Sequence, residues 1–236
     1  MRMRRKSWAR PELAASDFYI HEPAKHRGAW KELFADPTLP RHLELGCGKG
    51  VSTAQMVHEN RDVNYVAIDL ISDVLATARR NISEIYGDEP VDNVLITSQN
   101  VLNIRSIFAP EDAFERIIIS FCNPWNGRPR HWKRRLTHTQ QLMQYREFLT
   151  ERGEIWFKTD DDELFRCSLQ YFAESGFSVR YITYDLHASG FTPNYISEHE
   201  AFFTAKGVKI KFLIAVKEDL PCATQPSVTS NETESI

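Results

Sequence analysis

Two carboxylates frame the first site that could do chemistry. Glu44 lies in H-L-E-L-G-C-G-K-G (His42 to Gly50), two residues before the first of three closely spaced glycines; Asp69 lies 19 residues after the last of them, ending V-A-I-D-L. An apolar strand that runs into glycines and then a helix is a nucleotide-type loop, in which Gly46 and Gly48 let the backbone approach a ligand where a Cβ would collide. The spacing is G-x-G-x-G, not the G-x-G-x-x-G of dinucleotide sites. Glu44 is placed to face a positively charged ligand group, and Asp69 to accept from both hydroxyls of a ribose. Gln99 and Asn100 follow a third strand, where Asn100 can accept a hydrogen bond from an adenine amine.

A second group of residues has the opposite charge. The run R-I-I-I-S leads into F-C-N-P-W-N-G-R-P-R-H-W-K-R-R-L-T-H (Phe121 to His138), and between Arg116 and Arg146 there are seven Lys or Arg and no Asp or Glu. The net charge is -3, so attraction for a nucleic acid must come from local patches such as this one and the basic start, Met1 to Arg10. Trp125 and Trp132 stand among Arg128, Arg130, Lys133, Arg134 and Arg135, which suits stacking of an unpaired base with phosphate neutralisation around it. A charge run is more simply a solvated face. Against that, Arg134 and Arg135 at a helix start would oppose the helix dipole, a cost that hints at a function.

The elements that must hold these residues alternate. Strands are expected at 41–45, 63–69, 94–98, 116–120, 153–158, 178–184 and 209–216, and helices at about 51–60, 72–86, 135–149 and 161–175, the pattern of βαβ units and a largely parallel sheet. Ser72 is the expected N-cap of the second helix, and Asp160 to Asp162 place carboxylates at the start of the last one. The two final strands have only a long loop between them, which predicts an antiparallel pair closing one edge of the sheet.

Composition excludes several classes. With 42% hydrophobic and 26% charged residues the chain reads as a soluble globular protein, and 236 residues can bury a large core without disulfides or metal. No apolar run reaches the roughly 20 residues of a membrane span. The basic start lacks the apolar stretch of a secretory signal, and Pro11 and Glu12 interrupt any transit peptide, so a cytoplasmic protein is expected. The four cysteines are far apart with no His at ligand spacing, so no zinc site is expected. Residues 1–40 read as a basic segment packing on the domain, 41–217 as the domain itself, and 218–236, with almost nothing apolar after Pro221, as a disordered tail.

The glycine loop with Glu44 resembles that of Rossmann-like methyltransferases, whose S-adenosylmethionine has an ammonium and a sulfonium instead of a pyrophosphate. The Phe121 to Arg135 segment goes further. It resembles the F-x-D-P-W-P-K-K-R-H-x-K-R-R signature of the tRNA (guanine-N7-)-methyltransferases, and with E-L-G-C-G-K-G, F-K-T-D (Phe157 to Asp160) and S-E-H-E (Ser197 to Glu200) the likeness covers residues 1–217. The resemblance implies an α/β, class I fold with a seven-stranded, mostly parallel sheet and an antiparallel edge strand, S-adenosylmethionine as cofactor and no metal. It also implies N7-methylated guanosine in the variable loop of tRNA as product. By position, Glu44, Asp69, Asn100 and Asn123 match cofactor or active-site residues, while Asp160, Ser197 and Glu200 match substrate contacts. The family's substrate lysine has no clean match, Arg128 being the nearest basic residue. Asn100 and Asn123 stand where the family usually has Asp. Monomer and homodimer both remain open.

Guanine N7 has a lone pair and no proton, so in-line attack on a sulfonium methyl needs positioning rather than a general base. Positive charge moves onto the purine, which Asp160, Glu198 and Glu200 can face. Asp160 could equally serve as a helix cap. Asn123 then has only to accept a hydrogen bond and orient cofactor or base. Three rival readings are an exocyclic-amine methyltransferase, suggested by N-P-W; a catalytically silent tRNA- and cofactor-binding module, suggested by the two asparagines; and a nucleophilic Cys122.

Overall fold

The computed structural model describes residues 6–220. The expected tail after Pro221 and the basic residues Arg2, Arg4 and Arg5 lie outside the described residues. In chain order the elements are α1 (Ala9–Ala14), β1 (Tyr19–Ile20), β2 (Arg41–Leu45), α2 (Val51–Glu59), β3 (Asn64–Asp69), α3 (Ser72–Tyr86), β4 (Val94–Ser98), β5 (Phe114–Ser120), α4 (Thr139–Phe148), β6 (Leu149–Thr159), α5 (Asp162–Glu174), β7 (Phe177–Thr183), α6 (Glu198–Thr204) and β8 (Lys211–Lys217).

All seven expected strands form one sheet, ordered β1-β4-β3-β2-β5-β6-β8-β7. One correction applies to the expected topology. An eighth strand, the two-residue β1, comes from the N-terminal segment and pairs parallel with β4; two residues carry too little alternation to be seen in a sequence. The two final strands form the expected antiparallel pair closing one edge, with β8 paired antiparallel to both β6 and β7 and β7 outermost. β2, β3 and β8 are buried over almost their whole length, as strands of a sheet covered on both faces must be.

The chain progresses outward from β2 in two directions, through β3 and β4 on one side and β5 and β6 on the other. That reversal is a topological switch point, and the loops after the strands' carboxyl ends open a crevice there. The turn entering α2 depends on Gly50, which has φ +69° and whose missing Cβ would lie 2.7 Å from Ala78 Cβ; no side chain fits between α2 and α3 there.

Helix starts differ from expectation in informative ways. Ser72 is the first residue of α3, not its cap, and Ile71 precedes it without a side-chain acceptor. Asp161, not Asp160, caps α5, accepting from the Leu164 N–H at 2.6 Å. The helix expected from Arg135 begins at Thr139, capped by His138 Nδ1, which accepts from the Gln140 N–H. Residues 129–134 form a tight turn led by Pro129 instead.

The segment before β2 is fastened to the domain. Ala9, Leu13, Phe18, Trp30 and Phe34 belong to the main core cluster. The buried Asp112 carboxylate accepts from the backbone N–H groups of Gly28, Trp30 and Ala109. Lys6 donates to Asp73 and Thr77 of α3, and the Arg80 guanidinium lies 3.5 Å from the Trp8 ring centroid.

Candidate functional site

The crevice at the switch point is an open cleft of about 640 Å³ bordered by Gly46, Gly48, Asp69, Leu70, Asn100, Asn123, Trp125 and Arg134. It shares Gly46, Gly48, Ser120 and Phe121 with a smaller recess that Glu44, Ser52, Ser197, Glu198 and His199 close. The two candidate groups seen in the sequence therefore meet in one continuous site. Gly46 (φ +87°) and Gly48 (φ +57°) hold left-handed conformations, and a Cβ on either would meet nothing within 4 Å; their open side faces the space a ligand would fill.

Each carboxylate is tied to its loop. Asp69 accepts from the Gly48 N–H at 3.0 Å through one oxygen and from the Ile71 N–H at 2.9 Å through the other, which leaves a lone pair on each oxygen for a diol. Burial pushes its pKa up while these N–H groups pull it down. Glu44 is buried beneath the glycine loop and accepts from the Thr53 hydroxyl at 2.6 Å. Desolvation pushes it up to about 7, with the Thr53 hydroxyl and the Lys158 ammonium opposing the shift and Asp69 adding to it. A buried carboxylate at that value is easily ionised by a cation brought next to it.

Asn100 and Asn123 both act on their own backbones. Asn100 Oδ1 accepts from the Leu102 N–H at 3.1 Å and Asn123 Oδ1 from the Trp125 N–H at 2.9 Å, the Asx-turn geometry for which an amide serves as well as a carboxylate. Asn123 lies between Phe121 (φ +52°) and Trp125 (φ +50°). Two aromatic residues held at positive φ cost of order 1–3 kcal/mol each, strain that concentrates where a loop must present particular groups.

The basic loop divides into two kinds of residue. Arg128, Arg130, Lys133 and Arg134 are exposed, and among the described residues none of them has a carboxylate within ion-pair distance. Arg134 borders the cleft, with its guanidinium 5.1 Å from the Trp125 ring centroid. Arg135, expected beside it as a substrate contact, has no exposed surface. It donates to Pro124 O at 2.7 Å and Asn126 Oδ1 at 3.2 Å, stacks under Trp132 and lies 3.7 Å from Glu163, so its visible contacts are those of a residue that braces the loop from inside.

The S-E-H-E segment divides in the same way. Glu200, expected to touch substrate, is fully buried; it pairs with Lys158 at 2.6 Å and accepts from Asn194 Nδ2 at 2.8 Å. Ser197 Oγ caps α6 by accepting from the Glu200 N–H. Glu198 remains exposed and pairs with Lys49 of the glycine loop at 2.7 Å. Asp160, freed from capping by Asp161, faces His199 Nε2 at 3.1 Å, and the His199 ring packs against Phe121 with centroids 4.8 Å apart. Lys49, Phe121, Lys158 and His199 were missed in the sequence as site residues. All four stand inside the quoted motifs, where a lysine, phenylalanine or histidine has the same look as a solvated or packing side chain until its partner is in place. Cys122 is half-buried at the edge of the cleft, and desolvation pushes its thiol up to about 12, which favours the protonated form and gives the nucleophile reading no support.

This strand order, with a glycine loop and an acid at the switch point, defines a Rossmann-like methyltransferase, and solved structures agree on the fold. A 16S rRNA methyltransferase, KamB, superposes with TM-score 0.55 at 10% identity, covering 76% of this chain and 88% of that one. An antibiotic-related methyltransferase gives 0.54 at 16% (76% and 88%), and a methyltransferase of Pyrococcus furiosus 0.53 at 17% (77% and 76%).

A family model described as a putative methyltransferase matches residues 38–213. The tRNA (guanine-N(7)-)-methyltransferase of Clostridium botulinum (strain Eklund 17B / Type B) is 52% identical over 93% of this chain and 100% of its own length; that of Clostridium perfringens (strain 13 / Type A) is 52% identical over 92% and 100%. The corresponding protein of Desulfitobacterium hafniense (strain Y51) is 48% identical over 92% and 97%. The chain belongs to the tRNA (guanine-N(7)-)-methyltransferase family.

Proposed function

We propose that the protein transfers the methyl group of S-adenosylmethionine to N7 of a guanosine in tRNA, in the variable loop. The observation that carries this reading is the single cleft in which Glu44, the glycine loop and Asp69 meet Trp125 and the unneutralised Arg134. The residues fit the cofactor. Gly46 and Gly48 leave open the space its amino acid end would occupy, Glu44 would answer its ammonium and Asp69 its ribose, and Leu70 and Asn100 would lie beside its adenine. When bound, it supplies a methyl group on a sulfonium, an electrophile needing no further activation.

The rest is done by side chains of this chain. N7 of guanine brings its own lone pair and has no proton to give up, so no general base is required and alignment carries the rate. Asp160, held beside His199 at the rim, faces the base as positive charge builds on it, and its acceptor oxygens suit the N1–H and N2–H of guanine, which adenine lacks. The Asn123 turn sets Trp125 at the mouth of the cleft, where its ring can stack on a base turned out of the RNA. Arg128, Arg130, Lys133 and Arg134 neutralise phosphates around it.

The test is incubation of the purified protein with labelled cofactor and an unmodified tRNA transcript, followed by nuclease digestion and mass spectrometry. One methyl group on N7 of a variable-loop guanosine is expected. A methyl group on an exocyclic amine, or binding of both partners without transfer, would overturn the reading.

A further inference from the structure

Between β7 and β8 the chain crosses one face of the sheet with a single short helix, α6, so most of residues 184–210 has no backbone ladder to hold it. An apolar cluster of Leu186, Ile210, Phe212 and Ile214 seats its two ends. The middle, which carries Ser197, Glu198 and His199, has rim contacts to Lys49 and Asp160, a hydrogen bond from Asn60 to the Tyr195 hydroxyl and a contact from His187 to Glu200, and it is tied to the sheet beneath by one ammonium. Lys158 Nζ on β6 donates to Asn194 Oδ1 at 2.9 Å, Tyr195 O at 2.9 Å and Glu200 Oε2 at 2.6 Å, so all three of its N–H bonds are used. The strand beneath does not need this arrangement, because β6 is already laddered to β5 on one side and β8 on the other. On its inner side Lys158 borders the same chamber as Glu44.

We propose that Lys158 is the positioning residue of the site: its ammonium fixes residues 194–200 over the recess that Glu44 closes, and thereby the substrate rim over the cofactor. The inference rests on the methyl-transfer reading above. A hydrophobic residue of equal length would fill the same volume but give the segment no direction, whereas three converging acceptors and a fully buried counter-carboxylate define one. The same charge also faces Glu44, whose neighbours include the Thr53 hydroxyl on α2, the Asp69 carboxylate and Tyr65 phenol on β3, and the Cys47 thiol of the glycine loop. Lys158 therefore serves both halves of the site from one position.

The experiment uses the full chain with Lys158→Met. Amide exchange read by mass spectrometry should quicken about tenfold or more in residues 194–204 while β5 and β8 keep their protection. The KM for tRNA should rise about tenfold as the rim loses its register. Cofactor affinity measured by calorimetry at pH 8.5 should stay within about threefold, but its pH midpoint should move upward, because Glu44 loses the cation that helps it ionise. Lys158→Arg should restore part of each effect. Should Lys158→Met not fold, Asn194→Ala removes one acceptor and should show the exchange change in smaller measure. Unchanged exchange and unchanged KM in a folded variant would overturn the inference, as would equal losses of both affinities with protection lost throughout the sheet. A wild type that transfers no methyl group refutes the functional reading alone, since the exchange comparison needs no activity.

Discussion

The two halves of the cleft are built on different principles. The half proposed to hold the cofactor is local: β2, the glycine loop and α2 follow one another in the chain, and Asp69 ends the adjacent parallel strand and accepts from the Gly48 N–H. The half proposed to meet the substrate is assembled from segments far apart in sequence: Phe121 to Arg135 after β5, Asp160 after β6, and residues 194–200 before β8, joined by Lys158–Glu200, Asp160–His199 and Arg135–Glu163. In the first half a residue's type reveals its role, because strand, turn and helix dictate where it points. In the second half the same types serve opposite roles: of two adjacent arginines one is exposed and one fully buried, and of two glutamates one pairs at the surface and one in the core.

If that contrast holds, the largest effect should come from the local half. Asp69→Ala removes the acceptor for a ribose diol and also frees the Gly48 and Ile71 N–H groups, so the glycine loop loses its tie. With charge-assisted bonds worth about 1.5–3 kcal/mol each, cofactor affinity should fall by roughly 100-fold in calorimetry. Affinity for tRNA, measured without cofactor, should barely change. Equal losses of both would mean that the two halves are one unit.

The arginine pair breaks the comparison from the other side. Arg135→Ala strips Pro124 O, Asn126 and Glu163 of their buried partner and should destabilise the fold by roughly 2–3 kcal/mol, read as a lowered melting temperature. Arg134→Ala should leave melting unchanged. It should weaken tRNA binding several-fold and reduce the slope of log affinity against log salt by about one unit, the signature of one lost phosphate contact. Reversed results would restore Arg135 as the phosphate ligand.

How much was legible follows from the same contrast. β2, β4 and α3 begin and end where strand pattern and helical period place them, and the glycine loop stands where an apolar run meets closely spaced glycines. The burial of Arg135 and Glu200 was not legible, since a buried charge looks like a surface one until partners from other elements, Glu163 on α5 for Arg135 and Lys158 on β6 for Glu200, are in place. α4 was expected four residues too early because a basic run carries no stop signal, while Pro129 and His138 set the real boundaries. Asp160 reads equally as a cap or a substrate contact in the sequence, and in the structure its neighbour Asp161 takes the cap.

Asn123 tests the strained turn that joins the halves. Its visible bond is to the Trp125 N–H, and an aspartate accepts that bond equally well. Asn123→Asp should therefore keep substantial kcat. Asn123→Ala releases Trp125 from the mouth of the cleft and should lower kcat/KM about tenfold through positioning alone. A wild type that gains activity only as Asn123→Asp would show that the position needs a charge.

The smallest effect is expected where the halves touch at the surface. Glu198 and Lys49 pair at 2.7 Å across the recess, and each side chain is 55% exposed. Water screens such a pair, and its worth is about 0.2–1 kcal/mol, so Glu198→Gln should change the KM for cofactor and for tRNA by no more than about fivefold, with the difference shrinking in high salt. Lys49→Met should give the same modest change, and the double variant no more than either single one, because the two residues act only through each other. A larger loss for Glu198→Gln that is specific to tRNA and persists in the absence of the Lys49 ammonium would instead place the Glu198 carboxylate against the methylated base. It would then share with Asp160 the charge that builds up there, and the boundary between the two halves would run through the glycine loop itself.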